Sequence, residues 1–519
     1  MDEASRWSKS NVAKMLGLMV SLSLFASLAV AAGQTGSITG TVADPTGAVI
    51  PGIAVVISNQ ETGQQRTVST NADGTFVCPD LPPGTYQVEI HAAGFAPLQE
   101  GGLKLAAGQT LTLNLKLELG QQATTVTVTE SSLHVETTDT ATGDTITAAK
   151  MATIPLNGRS VTDLLALQPG IVPASSRQPS AVVMSGCTST SPSGDLNPGN
   201  LSISGQRETS NGFILNGSNV EEDFNMGTAL VPNLDSIEDF RVLTGNFDAQ
   251  YGNYSGGQVV VSTKSGTNDL HGSGFEFLRN TNLDARNYFS AGRARYDQNQ
   301  FGGTLGGAIK RDKAFFFADY QGTRLTQGIE TGLISVPSLD ERQGNLSGVA
   351  NSLTGNVNGQ AWADLLSQSL GYSISAGEPY YFPGCATTAE CVLPTAQIPL
   401  SASSSPARAL LPSIPLPNQG ANVFSASNSD ETLRDDKIAA RIDTRFGRNS
   451  LALYYFFDDY GLDNPYPTAQ GGASVPGFNA LTQGRSQFVS AGLTTIYSAA
   501  MINGFHLSFL RDKNNVGQA

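Results

Sequence analysis

The chain has 519 residues, a formal charge of −14, only 14% charged residues and 56 glycines. That length suits roughly three domains rather than one. The acidic balance argues against a nucleic-acid partner, which needs a basic footprint, and few charges with abundant Gly and Thr favour strands and turns over helices.

The four histidines (His91, His134, His271, His506) are far apart, and the four cysteines (Cys78, Cys187, Cys385, Cys391) show no C-x-x-C spacing. No metal or cofactor site is expected, and the cysteines are too few for a disulfide scaffold. Cys385 and Cys391 are placed to close one small loop, given an oxidising compartment. Nothing matches H-E-x-x-H or G-x-S-x-G, so no catalytic residues are assigned and the chain is read as a non-enzyme.

In chain order, Arg6, Lys9 and Lys14 precede an apolar stretch from Met15 to Val30, then Ala31 and Ala32. This is the layout of a secretory signal, residues 1–32. The alternative is a membrane anchor, for which the serines inside the stretch are ill suited. No later segment offers ~18 uninterrupted apolar residues. Any further encounter with a membrane must therefore be as a closed barrel.

Residues 36–119 alternate. Ile38, Gly40 and Val42 share a face, Asp44–Gly47 turns the chain, and Tyr86, Val88 and Ile90 alternate again. Leu111, Leu113, Leu115, Leu117 and Leu119 form the cleanest apolar face. Short strands punctuated by Gly and Pro indicate a seven-stranded β-sandwich. The stretches "GTVADPTGAVIPG" and "ADGTFVCPDLPPGTY", with Gly94-Phe95, resemble the carboxypeptidase regulatory-like domain, a transthyretin-like fold. That resemblance implies a structural or docking module without zinc ligands or nucleophile. Because the fold is grouped with carbohydrate-binding-like domains, a glycan-binding role stays open.

Residues 120–142 cannot bury a core and read as a linker. Within it, "TTVTVTE" alternates Thr and Val, a strand-prone segment suited to β-augmentation. Thr125, Val126, Thr127, Val128 and Thr129 resemble a TonB box, which implies contact with TonB.

Residues 143–265 mix short helices and strands. Ile146, Ala149 and Met151 are expected on a short helix or turn. Ser160 is placed to cap a second, with Leu164, Leu165 and Leu167 inward. Leu234–Phe240 is expected as a helix, and Gly257–Lys264 as a strand. Glycines at 252, 256, 257 and 266 fit tight turns and close backbone contact. The motifs "IPLNGRS", "ISGQRETSNGFILNGSNV", "IEDFRVLTGNFDAQYGNYSGGQVVVSTKSGTN" and "HGSGFEF" resemble the plug and first barrel strand of an Oar-like TonB-dependent outer-membrane receptor.

From 266 to 519 seven strands are expected: His271–Arg279, Asn299–Ile309, Ala314–Thr323, Asp436–Phe446, Ser450–Asp458, Ser486–Ser498 and Met501–Arg511. Ile438, Ala440, Ile442, Thr444 and Phe446 share one face; Lys437, Arg441, Asp443 and Arg445 take the other. Such alternation marks transmembrane β-strands, although a soluble sandwich produces it too. Phe315–Phe317, Tyr320 and Tyr454–Phe457 suit lipid-facing and girdle positions. The polar stretch 327–431, which holds Cys385 and Cys391, reads as a long external loop.

Together these readings predict a mainly β chain: sandwich, α+β plug, and the first part of an antiparallel transmembrane barrel. Plugged outer-membrane barrels have about 22 strands, so the sequence reads as a C-terminally truncated fragment. The resemblance implies an outer-membrane receptor, exported by its signal, with the sandwich in the periplasm. It implies energy-coupled uptake of an unidentified small ligand or glycan, with TonB, the ExbB–ExbD complex and outer-membrane lipid as partners. The alternative is a surface adhesion or interaction protein of the same type, without import.

Overall fold

The computed structural model describes residues 35–120, 126–128, 141–154, 156, 159–173, 201–221, 228–247, 251–285, 293–329, 333–425, 429–465, 479–498 and 501–518. The expected signal segment, Thr125, Thr129 and Cys187 lie outside them.

The first unit contains β1 (Gly36–Ala43), β2 (Ala54–Asn59), β3 (Gln65–Ser69), β4 (Thr75–Leu81), β5 (Gly84–Ile90), β6 (Leu98–Leu105) and β7 (Thr110–Lys116). One sheet has the order β4-β1-β7; β3-β2-β5-β6 forms the other. Because successive side chains alternate across a strand, Ile38, Val42, Phe76 and Leu113 of one sheet meet Val55, Ile57, Val88 and Ile90 of the other in a single core. Asp44 builds the first turn: its Oδ1 accepts from the Thr46 and Ala48 amides, both at 2.9 Å. Leu111 to Leu117 are buried as expected, but Leu119 is 73% exposed. β7 ends at Lys116, and the face it defines ends soon after.

β8 (Val126–Val128) follows. It pairs in parallel with β6, adding a strand to the second sheet. The next unit runs β9 (Thr142–Thr147), α1 (Ala148–Thr153), α2 (Val161–Leu165), β10 (Ile171–Pro173), β11 (Leu201–Ile203), β12 (Gly212–Leu215), β13 (Ser218–Asn219), β14 (Ile237–Gly245) and β15 (Gln258–Thr263). Its main sheet has the order β13-β12-β15-β14-β9.

Val259 and Val261 enter one core, while Val260 enters a second with Leu243 and Tyr251. A central strand buried on both faces reads as a continuous apolar run, which is the origin of Val259–Val261. The same effect corrects the expected helix at Leu234–Phe240. Only Leu234–Ser236 is helical, as a 3-10 turn, and β14 begins at Ile237. Ile146 likewise belongs to β9 rather than to a helix or turn. Leu167 lies beyond the short α2 and is 61% exposed, whereas Leu164 and Leu165 are buried.

The third unit contains β16 (His271–Asn280), β17 (Tyr296–Lys310), β18 (Ala314–Ile329), β19 (Ile334–Ser335), β20 (Val423–Phe424), β21 (Ser429–Phe446), β22 (Asn449–Asn464), β23 (Ala480–Ser498) and β24 (Met501–Gln518). β19 pairs only with β20. The other seven form one open antiparallel wall, β16-β17-β18-β21-β22-β23-β24. Every wall strand is longer than expected, mostly toward the end with the long connections. About ten residues suffice to cross hydrocarbon, so the apolar pattern marks only that part.

The two faces of the wall differ in partner. Tyr454, Phe456 and Phe488 are buried in the core of the central unit. On the other face Ile438, Ile442, Val489, Leu507 and Phe509 are exposed. This corrects the aromatic assignment: Phe315, Phe317, Tyr454 and Phe456 are buried, and only their alternate neighbours share the outward face. Short turns join β17 to β18 and β21 to β22 at one end. The connection from β18 to β21 leaves from the other end. It is not a bare loop: α3 (Gln360–Leu370) lies in it, and Val357, Ala363, Ile374, Val392 and Leu393 form a small core. Cys385 and Cys391 are bonded there, with Cα atoms 6.3 Å apart.

Candidate functional site

Three contact zones link the units. At the first, β8 lies along the edge strand β6, with Leu98, Gln99 and Glu100 opposite Val126, Thr127 and Val128. The Thr/Val segment read as a handle therefore has a backbone partner within this chain. Of the five handle residues, the described three are the paired ones.

At the second zone the sandwich docks on β14. The Ala107 amide donates to Asp239 Oδ2 at 2.9 Å, and Arg241 donates to the Gly108 carbonyl at 2.5 Å. Burial pushes the Asp239 carboxyl up to about 6, against the Ala107 amide and Ser262 hydroxyl, which lower it. Glu238 beside it is also raised, chiefly by burial. The Asn268 amide donates to the Glu61 carbonyl at 3.2 Å, and Arg445 donates to the Gln65 carbonyl at 3.4 Å. The sandwich thus stands at the short-turn end of the wall. A cavity of about 170 Å³, lined by Arg66, Asp80, Glu238, Arg441 and His506 among others, lies where the three units meet.

At the third zone the central unit packs against the inner face of the wall. Arg441 donates to the Thr263 carbonyl at 2.7 Å and pairs with Asp443 at 2.8 Å. Ser265 donates to the same carboxylate at 2.7 Å. Lys437 donates to the Val231 carbonyl at 3.3 Å, and Ser486 to the Ala229 carbonyl at 3.1 Å. Asn233 donates to Asp319. Arg159 lies 4.1 Å from the Phe277 ring centroid and 4.7 Å from that of Phe275. At the junction itself, a Cβ on Gly266 would stand 2.2 Å from the Phe316 carbonyl oxygen, so only glycine fits. Gly256 and Gly257 are equally crowded, whereas Gly252 has open space around it.

Among the described residues no cluster of His, Cys, Asp and Glu is built to hold a metal ion. No described helix is long and apolar enough to cross a membrane, which says nothing of a β-barrel. The structure brings Cys385 and Cys391 together, far from the handle. Asp239 and Arg441 were missed as contact residues. Asp239 was hidden inside an expected helix, and Arg441 read only as one polar member of an alternating strand.

These features define a mainly β chain with an N-terminal sandwich, a central mixed unit and an open, barrel-like antiparallel wall. Residues 262–519 match the family profile described as an outer membrane beta barrel domain, and residues 37–118 match the carboxypeptidase regulatory-like domain. The chain is a homologue of the TonB-dependent transporter Oar of Myxococcus xanthus, with 24% identity over 296 residues. The match covers 55% of this chain and 26% of that protein, so the chain spans about a quarter of its curated relative.

Among solved structures it is similar to the outer membrane transporter YddB from Escherichia coli, with TM-score 0.39 and 11% identity. That match covers 71% of this chain and 39% of the other. It is also similar to the siderophore receptor PirA from Acinetobacter baumannii, with TM-score 0.33 and 12% identity, over 72% and 48% of the two chains. The barrel domain assigns the chain to the outer membrane. In such barrels short turns face the periplasm and long loops face outside.

Proposed function

We propose that the protein acts in TonB-dependent, energy-coupled uptake across the outer membrane, with residues 143–265 as the plug. TonB would pair with the Thr125–Thr129 segment, and the ExbB–ExbD complex would supply the energy. The ligand is a small molecule or glycan taken from the outside.

One observation supports this reading: β9, the first strand after the handle in the chain, is an edge strand of the sheet packed against the wall. β9 pairs with β14 from Thr142 opposite Gly245 to Thr147 opposite Asp239. Tension on the tether reaches this edge strand first. An edge strand is bonded on one side only, so it separates before the central strands do. The buried contacts from Asp239 and Arg241 to the sandwich hold β14 while β9 is drawn away.

The test is deletion of Thr124–Glu130 in the full chain. Binding of the purified periplasmic domain of TonB should be lost while membrane insertion is retained. Unchanged binding would contradict the assignment of the handle. Ligand uptake should fail along with TonB binding, whereas a surface adhesion that survives the deletion would favour the interaction-protein alternative.

A further inference from the structure

The second sheet of the sandwich ends on the handle. Its order is β3-β2-β5-β6-β8, so β6 is bonded to one edge of β8, and the other edge carries no strand among the described residues. The ladder is parallel and short, with Leu98, Gln99 and Glu100 opposite Val126, Thr127 and Val128.

The sandwich itself fixes where this ladder starts and stops. Upstream, the chain leaving β7 is held beside the approach to β6. The Ala96 amide donates to the Glu118 carbonyl at 2.8 Å, and Phe95 bridges to Leu119. The tether therefore sets out next to the strand it rejoins. Downstream, β6 is irregular. Val88 pairs with Glu100 and Tyr86 with Leu103, so Gly101 and Gly102 together oppose the single residue Gln87. Gly102 has a φ of +75°, in the left-handed region that glycine tolerates. A bulge of this kind ends regular pairing, and the ladder with β8 stops at Glu100, just before it. Ala107 and Gly108, in the turn after β6, are the groups bonded to Asp239 and Arg241 of the central unit.

We infer that the sandwich presents the handle to TonB as a ready-made edge strand: TonB adds its own strand to the free edge of β8 while β8 stays on β6. A strand has two hydrogen-bonding edges, and β-augmentation needs one of them. The open row of N–H and C=O groups on the far edge of β8 is what an extended partner chain pairs with. Because Val126–Val128 are already held extended, TonB is spared the entropy of ordering them, which is the advantage of a preorganised site. The occupant is TonB because the free edge belongs to the segment whose Thr/Val alternation resembles a TonB box. The inference thus rests on the reading of the handle proposed above. Separation of β8 from β6 becomes a step that follows tension, rather than one that must precede binding.

The experiment uses the full chain in detergent and the purified periplasmic domain of TonB. Gln99→Cys with Thr127→Cys, in a Cys187→Ser background, is joined after folding by a short bis-maleimide that ties β8 to β6; the other free thiol, Cys78, is buried. The joined protein should bind TonB within about twofold of the same protein before joining. A loss of about tenfold or more on joining would overturn the inference, because β6 would then be hiding the handle and TonB would bind only the released fraction. Hydrogen exchange on the wild type reads the same question without substitutions. On addition of TonB the Leu98–Glu100 amides should stay as protected as before or become more so. Faster exchange there would mean that TonB strips β8 from β6, which also overturns the inference. Deletion of Thr124–Glu130 keeps the two readings apart. TonB binding that survives the deletion sinks the handle and this inference with it, whereas binding lost in both the deletion and the joined protein sinks the presentation alone.

Discussion

Asp239, in the fourth position of the central sheet, accepts a hydrogen bond from the Ala107 backbone amide of the sandwich at 2.9 Å while only 3% exposed. This pair ties the two units together through a carboxylate that burial disfavours in its charged form. Its carboxyl is raised from 3.8 to about 6. Between those values this carboxyl binds more protons in the folded protein than in the unfolded chain, so its contribution to stability falls as pH rises from about 4 to about 6 and is constant above. Asp239→Asn keeps an acceptor for Ala107 and removes the charge. It should stabilise the protein at pH 7.5 by on the order of 1–3 kcal/mol and reduce the slope between about pH 4 and 6, Glu238 contributing the remainder. Unfolding in detergent across that range measures both effects.

Arg441 anchors the central unit to the wall. Its guanidinium is shared between the Thr263 carbonyl and Asp443, with side chains only 12% and 21% exposed in the ion pair. Removing one member of a buried pair leaves the other uncompensated. Arg441→Gln should therefore cost about 3 kcal/mol, and the double variant with Asp443→Asn should cost less than that. A double-mutant cycle on unfolding midpoints checks the coupling. Additive losses would mean that the pair contributes nothing beyond its separate contacts.

The long connection behaves as a small folded unit closed by Cys385–Cys391. Both cysteines are buried, and the loop they close has a sequence separation of 6. Closing so short a loop is worth about 2 kcal/mol. Replacing both by serine should speed proteolytic cleavage within residues 333–424 by roughly thirtyfold, without shifting cleavage in the wall. Equal cleavage rates would show that the Val357–Leu393 core holds the unit closed by itself.

Much of this architecture is legible in sequence because burial on one face writes a period of two. Ile438, Ile442 and Phe446 could be separated from Lys437 and Arg441 by alternation alone, as could Leu111 from Thr112. What alternation cannot say is which face meets which partner. Tyr454 and Phe456 read as lipid-facing, yet they pack on the central unit, because an aromatic residue suits either side. The central sheet was harder still. β14 and Val259–Val261 are buried on both faces and lose the alternating pattern; the start of β14 then resembles a helix, whereas Val259–Val261 still read as part of a strand. The pairing of Val126–Val128 with β6 was not readable, since an edge that accepts a third strand leaves no mark on its own residues. Asp239 and Arg441 gave no signal because their roles arise only when distant units dock.

The central claim is that the outward face of the wall meets hydrocarbon. Ile442→Trp, with Leu453→Trp at its cross-strand partner as a second probe, reports this directly in bilayers of bromine-labelled lipid. The account predicts strong quenching of both added indoles by the labelled acyl chains and little by aqueous iodide. Strong iodide quenching with no effect of the labelled chains would contradict it and place that face in water.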